Sequence, residues 1–162
     1  MGSSRKEPSS YFLMIVTDAA GGHSAFAVAK RRLDRGLWPI YQRTRHRSAI
    51  AAGDVLLVYL GGYREFSQNI VAFARVKSVE DTGRRAPPII DSEAAQNAPP
   101  FKILHLDDIE LFADPVSIRN LLTQLSFIPK SPKWGAALMG GCRTITREDF
   151  LRIERARCGR QG

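Results

Sequence analysis

Two short runs of apolar residues with no polar interruption, Tyr11-Phe-Leu-Met-Ile-Val16 and Val55-Leu-Leu-Val-Tyr-Leu60, constrain this chain most. Each is the length of a strand, well short of an amphipathic helix and far short of the roughly 20 residues that cross a membrane. They read as buried strands, so the rest of the chain has to supply the elements that cover them. Thr17-Asp-Ala-Ala-Gly-Gly22 breaks the first run. Ser24 then caps a predicted helix from Ala25 to about Arg35, with Phe26, Val28, Ala29 and Leu33 at roughly helical spacing and Gly36 as the stop. Leu37–Tyr41 is expected to be extended, because Pro39 pushes its predecessor away from helical geometry. Arg47–Ala52 reads as one helical turn ended by Gly53-Asp54, and Gly61-Gly62 ends the second apolar run.

Further along, Asn69–Val79 is a long strand candidate rich in β-branched and aromatic residues. Glu80–Pro100 is polar and carries four prolines, which predicts a long loop with a helical turn at Ser92–Gln96. Phe101–Phe112 resumes strand character. Asp114-Pro115 has the form of a cap followed by proline at a first helical position, predicting a helix to about Leu125. Pro129–Gly141 reads as loop, and Thr146-Arg-Glu-Asp149 resembles a capping box with Asp in the Glu position, opening a last helix to about Ala156. The helices are too few for regular βαβ units. The order argues an α+β fold around a curved sheet or small barrel.

A chain of 162 residues fits one domain. Residues 1–10 read as a disordered arm, 11–157 as the domain and 158–162 as a tail. The arm is polar and has no signal-peptide apolar region; with only two cysteines in a chain this long, a reducing compartment, the cytoplasm, is the expected location. Cys142 and Cys158 lack metal-site spacing and are expected as unpaired thiols. The net charge of +8 speaks to partners. Nucleic acid comes first; an anionic membrane is the weaker reading, since no basic amphipathic helix with a strong apolar face is present.

Positive charge gathers in Gly36-Leu-Trp-Pro-Ile-Tyr-Gln-Arg-Thr-Arg-His-Arg47 and in the preceding Lys30-Arg31-Arg32 and Arg35, with Asp34 the only acid. Guanidinium groups pair with phosphates and ring faces stack on bases, so Lys30, Arg31, Arg32, Arg43, Arg45, His46, Arg47 and the distant Lys133 are the candidate backbone contacts. Trp38 reads equally as a stacking residue or as core, and Trp134 rather as core. Chemistry is harder to find. His23, His46 and His105 show no zinc spacing, and neither a nucleophile elbow nor a phosphate loop occurs. Asp107, Asp108 and Glu110 could hold a metal in a nuclease, but no lysine follows closely and they read better as solvated edge residues. No catalytic residue, metal or cofactor is expected; a nucleic-acid-processing enzyme is the weakest reading.

The stretch from Trp38 through the arginines, then Ile50-Ala-Ala-Gly-Asp-Val-Leu-Leu-Val-Tyr59 and Ile70-Val-Ala-Phe-Ala-Arg-Val76, resembles the core of EVE domains, which belong to the PUA-like superfamily with YTH and ASCH domains. Tyr11–Val16 fits that family's opening strand, and Leu125–Gly135 and Gly140–Phe150 are similar to its C-terminal part. The resemblance implies a small curved β-barrel with flanking helices, and a concave pocket that receives a flipped, often methylated or hydroxymethylated base. It places Trp38, Thr17, Asp18, Tyr41, Tyr59, Tyr63 and Phe66 at or beside that pocket, although each also reads as core packing or loop filling. The long loop has no aromatic before Phe101, which argues against a full aromatic cage for N6-methyladenine and favours 5-methylcytosine or 5-hydroxymethylcytosine. The expected ligand is modified double-stranded DNA rather than RNA, with a link to restriction and a partner nuclease. An RNA-binding PUA-like domain is the alternative.

Overall fold

The computed structural model describes residues 10–18, 22–41, 49–81 and 102–159. The two apolar runs form β1 (Tyr11–Val16) and β3 (Val55–Leu60), paired in parallel with Tyr11 opposite Val55 and Val16 opposite Leu60. They need no polar residues because both of their faces are covered. Phe12, Met14 and Val16 with Leu56, Val58 and Leu60 point into one cluster, while Leu13 and Ile15 with Leu57 and Tyr59 point into another. Helix α1 (Ala25–Arg35) closes the first with Ala25, Val28, Ala29 and Leu33. The C-terminal third closes the second, through Ile118, Leu121, Leu125, Phe127, Ile128, Leu138 and Ile153.

Around this pair lie β2 (Leu37–Ile40), β4 (Asn69–Asp81), β5 (Lys102–Ser117) and β6 (Cys142–Ile145). The six-stranded order is β2-β5-β4-β3-β1-β6, antiparallel at every pairing except β1 with β3. The sheet curls into a half-barrel, and with the two helices found among the described residues it makes an α+β fold. Both helices have the caps their sequences encode. The Ser24 hydroxyl accepts from the Ala27 amide and Gly36 ends α1 in the left-handed region at φ 66°. The Thr146 hydroxyl accepts from the Asp149 amide at the start of α2 (Arg147–Cys158).

Asp149, in the first turn of α2, is wholly buried. Burial pushes its carboxyl up, but hydrogen bonds from Ser126, Thr146 and Arg152 outweigh it and hold the group below its ordinary value. It ties the segment before β6 to the last helix. Cys142, also buried, has its thiol pushed up to about 12, and both cysteines are free.

The helix expected from Asp114-Pro115 is not formed. Both residues belong to β5, and only the single 3-10 turn Ile118–Leu121 follows. Between the pairs Ala72–Leu111 and Ile70–Val116, residues 112–115 bulge opposite Val71 alone. A proline, having no amide proton, is tolerated at such a bulge. The bulge lets Phe112 and Val116 both reach the second cluster. Glu80 and Asp81, expected in the loop, extend β4. The predicted turns at Arg47–Ala52 and Ser92–Gln96 lie wholly or partly outside the described residues. Among the described residues no helix is long and apolar enough to cross a membrane.

Candidate functional site

Because β1 and β3 run parallel, their chains leave the sheet at the same end. Thr17 and Asp18 follow β1 there, and Gly61, Gly62 and Tyr63 follow β3. Together with Tyr59, Gln68, Gly135, Leu138 and Met139 they line an open cavity of about 500 Å³. Gly135 and Leu138 belong to a short 3-10 helix, Trp134–Leu138, laid over the second cluster.

Asp18 fixes the geometry of this end. One carboxylate oxygen accepts the Ala25 amide at 2.9 Å, capping α1, and the other accepts the Tyr63 amide at 2.9 Å. A single side chain therefore clasps three segments. The Tyr63 and Ala25 amides hold its carboxyl below the ordinary value, with Arg64 adding to the effect against a desolvation cost. At neutral pH it is an ionised, acceptor-only group on the cavity wall. Gly62 sits against it at φ 79°, and a Cβ there would lie 2.3 Å from the Asp18 oxygen.

The loop that follows is wound tightly. Phe66 and Gln68 are non-glycine residues in the left-handed region, at φ 56° and 63°. Such strain persists only where the surroundings hold it, and it concentrates at ligand sites. Here the Gln68 amide donates to the Leu60 carbonyl at 2.6 Å, and the Gln68 carbonyl accepts from the Ile118 amide at 2.9 Å. Phe66 packs on Phe26 of α1, ring centres 5.0 Å apart. Of the aromatics, Tyr59 forms a wall while itself only 4% exposed, whereas Tyr63 stands 98% exposed at the mouth. Burial raises the Tyr59 phenol above its ordinary value, and Arg119 opposes that rise.

Of the seven residues that the family resemblance places at a pocket, the structure brings Thr17, Asp18, Tyr59 and Tyr63 together on this cavity. Phe66 belongs to the same loop but turns to α1. Tyr41 is half-buried just past β2 and is not among the residues lining this cavity. Trp38 is packed in the first cluster at 2% exposure, with the Arg32 guanidinium 4.8 Å from its ring centre. Of the candidate backbone contacts, Arg31 and Lys133 are exposed and Lys30 pairs with Asp34 at 3.0 Å. Arg32 backs Trp38. Arg43, Arg45, His46 and Arg47 lie outside the described residues. The acids on β5 are exposed, with Asp108 3.6 Å from Arg75 and Glu110 3.0 Å from Arg157. Among the described residues no group of His, Cys, Asp and Glu could hold a metal. Gln68, Gly135, Leu138, Met139 and Arg119 have no distinguishing signal in the sequence. Gln68 reaches the cavity from the loop before β4, Gly135 and Leu138 from the short 3-10 helix and Met139 from just past it, and Arg119 falls inside a predicted helix.

No family model and no curated protein matches the sequence. Solved structures do match its fold. The N-terminal domain of Staphylothermus marinus McrB superposes with a TM-score of 0.56 at 11% identity, covering 95% of this chain and 97% of that one. The DUF55 domain of human thymocyte nuclear protein 1 gives 0.54 at 11% identity, covering 91% and 98%. The YTH domain of a Zygosaccharomyces rouxii protein, in complex with N6-methyladenosine RNA, gives 0.53 at 10% identity, covering 93% and 89%. The chain has the PUA-like fold that these domains share.

Proposed function

We propose that this protein is a binding module, not a catalyst, that takes a modified base of DNA into the cavity at the ends of β1 and β3. The observation that carries the reading is that cavity itself. Its size is within the range of small-molecule sites, it has an ionised acceptor fixed by two backbone amides, and it has one aromatic wall inside and another at its mouth. A flipped base asks for such a combination: apolar or aromatic surfaces for its faces and a few polar groups for its edge. Asp18 accepts from an exocyclic amino group, which cytosine and its 5-substituted forms all retain. The apolar Leu138 and Met139 suit a methyl or hydroxymethyl substituent better than bare solvent would. A net charge of +8 supplies the long-range attraction for the phosphate backbone. The YTH structure in complex with N6-methyladenosine RNA supports base capture on this fold and keeps modified RNA as the second reading. A link to restriction through a partner nuclease belongs to the same proposal.

The test is a titration with matched duplexes carrying cytosine, 5-methylcytosine, 5-hydroxymethylcytosine or N6-methyladenine, beside a single-stranded RNA with and without N6-methyladenine. A preference of about tenfold, or about 1.4 kcal/mol, is expected for a modified-cytosine duplex. Tyr63→Ala should weaken binding of every captured base, since one stacking face contributes about 1–3 kcal/mol whatever the base, while its melting temperature stays put because the ring is exposed. Equal binding to all duplexes with tighter RNA binding would transfer the reading to RNA.

Replacing Arg43, Arg45 and Arg47 together by alanine should weaken binding to every duplex alike. It should also flatten the dependence of log K on log salt by about 0.9 for each phosphate released. An unchanged slope would remove these arginines from the backbone contact.

A further inference from the structure

The cavity wall has a negative charge on Asp18, so a nucleotide that enters needs a cation placed for its phosphate. Among the described residues, Arg64, Arg119 and Arg143 lie beside segments that line the cavity, and Arg143 donates to the Ala137 carbonyl at 3.0 Å. Arg64 is engaged, donating from its guanidinium to the Gly22 carbonyl. Arg119 is arranged differently. It follows β5 in the turn Ile118–Leu121, is exposed, and donates from Nε to the Gln68 side-chain oxygen at 2.5 Å. Its guanidinium lies 5.7 Å from the ring centre of Trp134, next to Gly135 of the cavity wall.

Gln68, which holds Arg119, lines the cavity and is itself held in the left-handed region by backbone hydrogen bonds on both sides. Gln68 occupies Nε. Among the described residues neither terminal nitrogen of Arg119 has a hydrogen-bond partner, and these two nitrogens form the fork that matches a phosphate bidentately. A long side chain ordinarily loses rotamer freedom when it grips a ligand. Gln68 on one side and the Trp134 ring on the other have already restricted this one. Its field also reaches the cavity interior, where it acts on Tyr59.

We propose that Arg119, held by Gln68 and Trp134, is a phosphate clamp at the rim, gripping the phosphodiester beside the base that the cavity takes up. Arg119 is the binding residue; Gln68 and Trp134 are positioning residues. The clamp rests on the base-capture reading for the identity of its nucleotide, but the contact itself is between a guanidinium and a phosphate and has its own readout.

The experiment uses the full chain and a duplex bearing 5-hydroxymethylcytosine, in versions where an uncharged methylphosphonate replaces the phosphate on one side or the other of that base. One replacement should weaken wild-type binding about tenfold, the scale of a lost charged hydrogen-bond pair, and leave Arg119→Ala unaffected. Arg119→Ala should also lower the salt slope by about 0.9, one phosphate's worth. Arg119→Lys should keep the slope and lose affinity, because an ammonium is a point charge without the fork. Arg119→Ala with a wild-type slope and undiminished sensitivity to both methylphosphonates would overturn the clamp. The outcomes separate the two ideas. Loss of slope in Arg119→Ala without any preference for the modified base leaves the clamp standing and sinks the base-capture reading. A clear preference with Arg119 making no difference does the reverse.

Discussion

Trp38→Ala should lose about 3–5 kcal/mol of folding stability, the usual result of emptying a large aromatic site in a core. For a domain of this size that corresponds to a fall in melting temperature of roughly 6–20 °C. The indole is 2% exposed and sits in the cluster that joins α1 to the sheet, so its removal leaves a void in that cluster. The substitution also strips the guanidinium of Arg32 of the ring face it covers at 4.8 Å. Trp38→Phe, which keeps a ring in the site, should lose about half as much or less. Thermal melting of the two variants checks this, with the duplex titration run on whichever stays folded. A Trp38→Ala protein that melts within a degree or two of wild type, and yet no longer prefers a modified base, would move Trp38 from the core to the ligand.

That residue shows why part of the site was hard to read. An aromatic among arginines has the composition of a nucleic-acid contact, and the same composition results when a core residue is preceded by a charged helix face. Only burial distinguishes the two. The strands were more legible, because covering both faces of β1 and β3 leaves an unbroken apolar run of a length that helices seldom have. Helix α1 was legible from its ends, since a serine cap and a left-handed glycine are local chemistry. Asp114-Pro115 misled for an equally local reason: a proline after a capping residue fits a helix start, and it also fits a bulge that needs no amide hydrogen. Thr17, Asp18, Tyr59 and Tyr63 could be found by following the two apolar strands to their common end. Gln68 and Arg119 could not. They meet across 51 positions of sequence, and a left-handed glutamine has no signature in composition.

Gly62→Ala should be the most damaging single methyl group that can be added to the cavity. Two effects combine. The residue has φ 79°, where a side chain costs about 1–2 kcal/mol, and its Cβ would lie 2.3 Å from Oδ2 of Asp18, whose carboxylate two backbone amides hold in place, one on each oxygen. Asp18 has to swing away, giving up the amides of Tyr63 and Ala25. Gly53→Ala separates the two effects. Gly53 has φ 94° and nothing within 4 Å of an added Cβ, so it takes the backbone strain alone. Gly53→Ala is therefore expected to lose about 1–2 kcal/mol and Gly62→Ala about 2–4, the excess being charged hydrogen bonds discounted for their exposure. In Asp18→Ala the obstacle is gone, so adding Gly62→Ala should then cost no more than Gly53→Ala does. That non-additivity is the sign of contact between the two. Acid provides an independent check. The Tyr63 and Ala25 amides hold the Asp18 carboxyl below its ordinary 3.8, so the folded state binds this proton more weakly than the unfolded one. Its contribution to stability is complete above that ordinary value and disappears as pH falls through the depressed one. The acid limb of stability against pH should be shallower in Gly62→Ala, with Asp149 contributing equally to both proteins. Binding should fail with the clasp, because the acceptor that faces the base edge has left its place. Equal losses of stability in Gly53→Ala and Gly62→Ala, with the wild-type acid limb and wild-type preference for the modified duplex, would mean that Asp18 is free to move and that the cavity does not depend on its position.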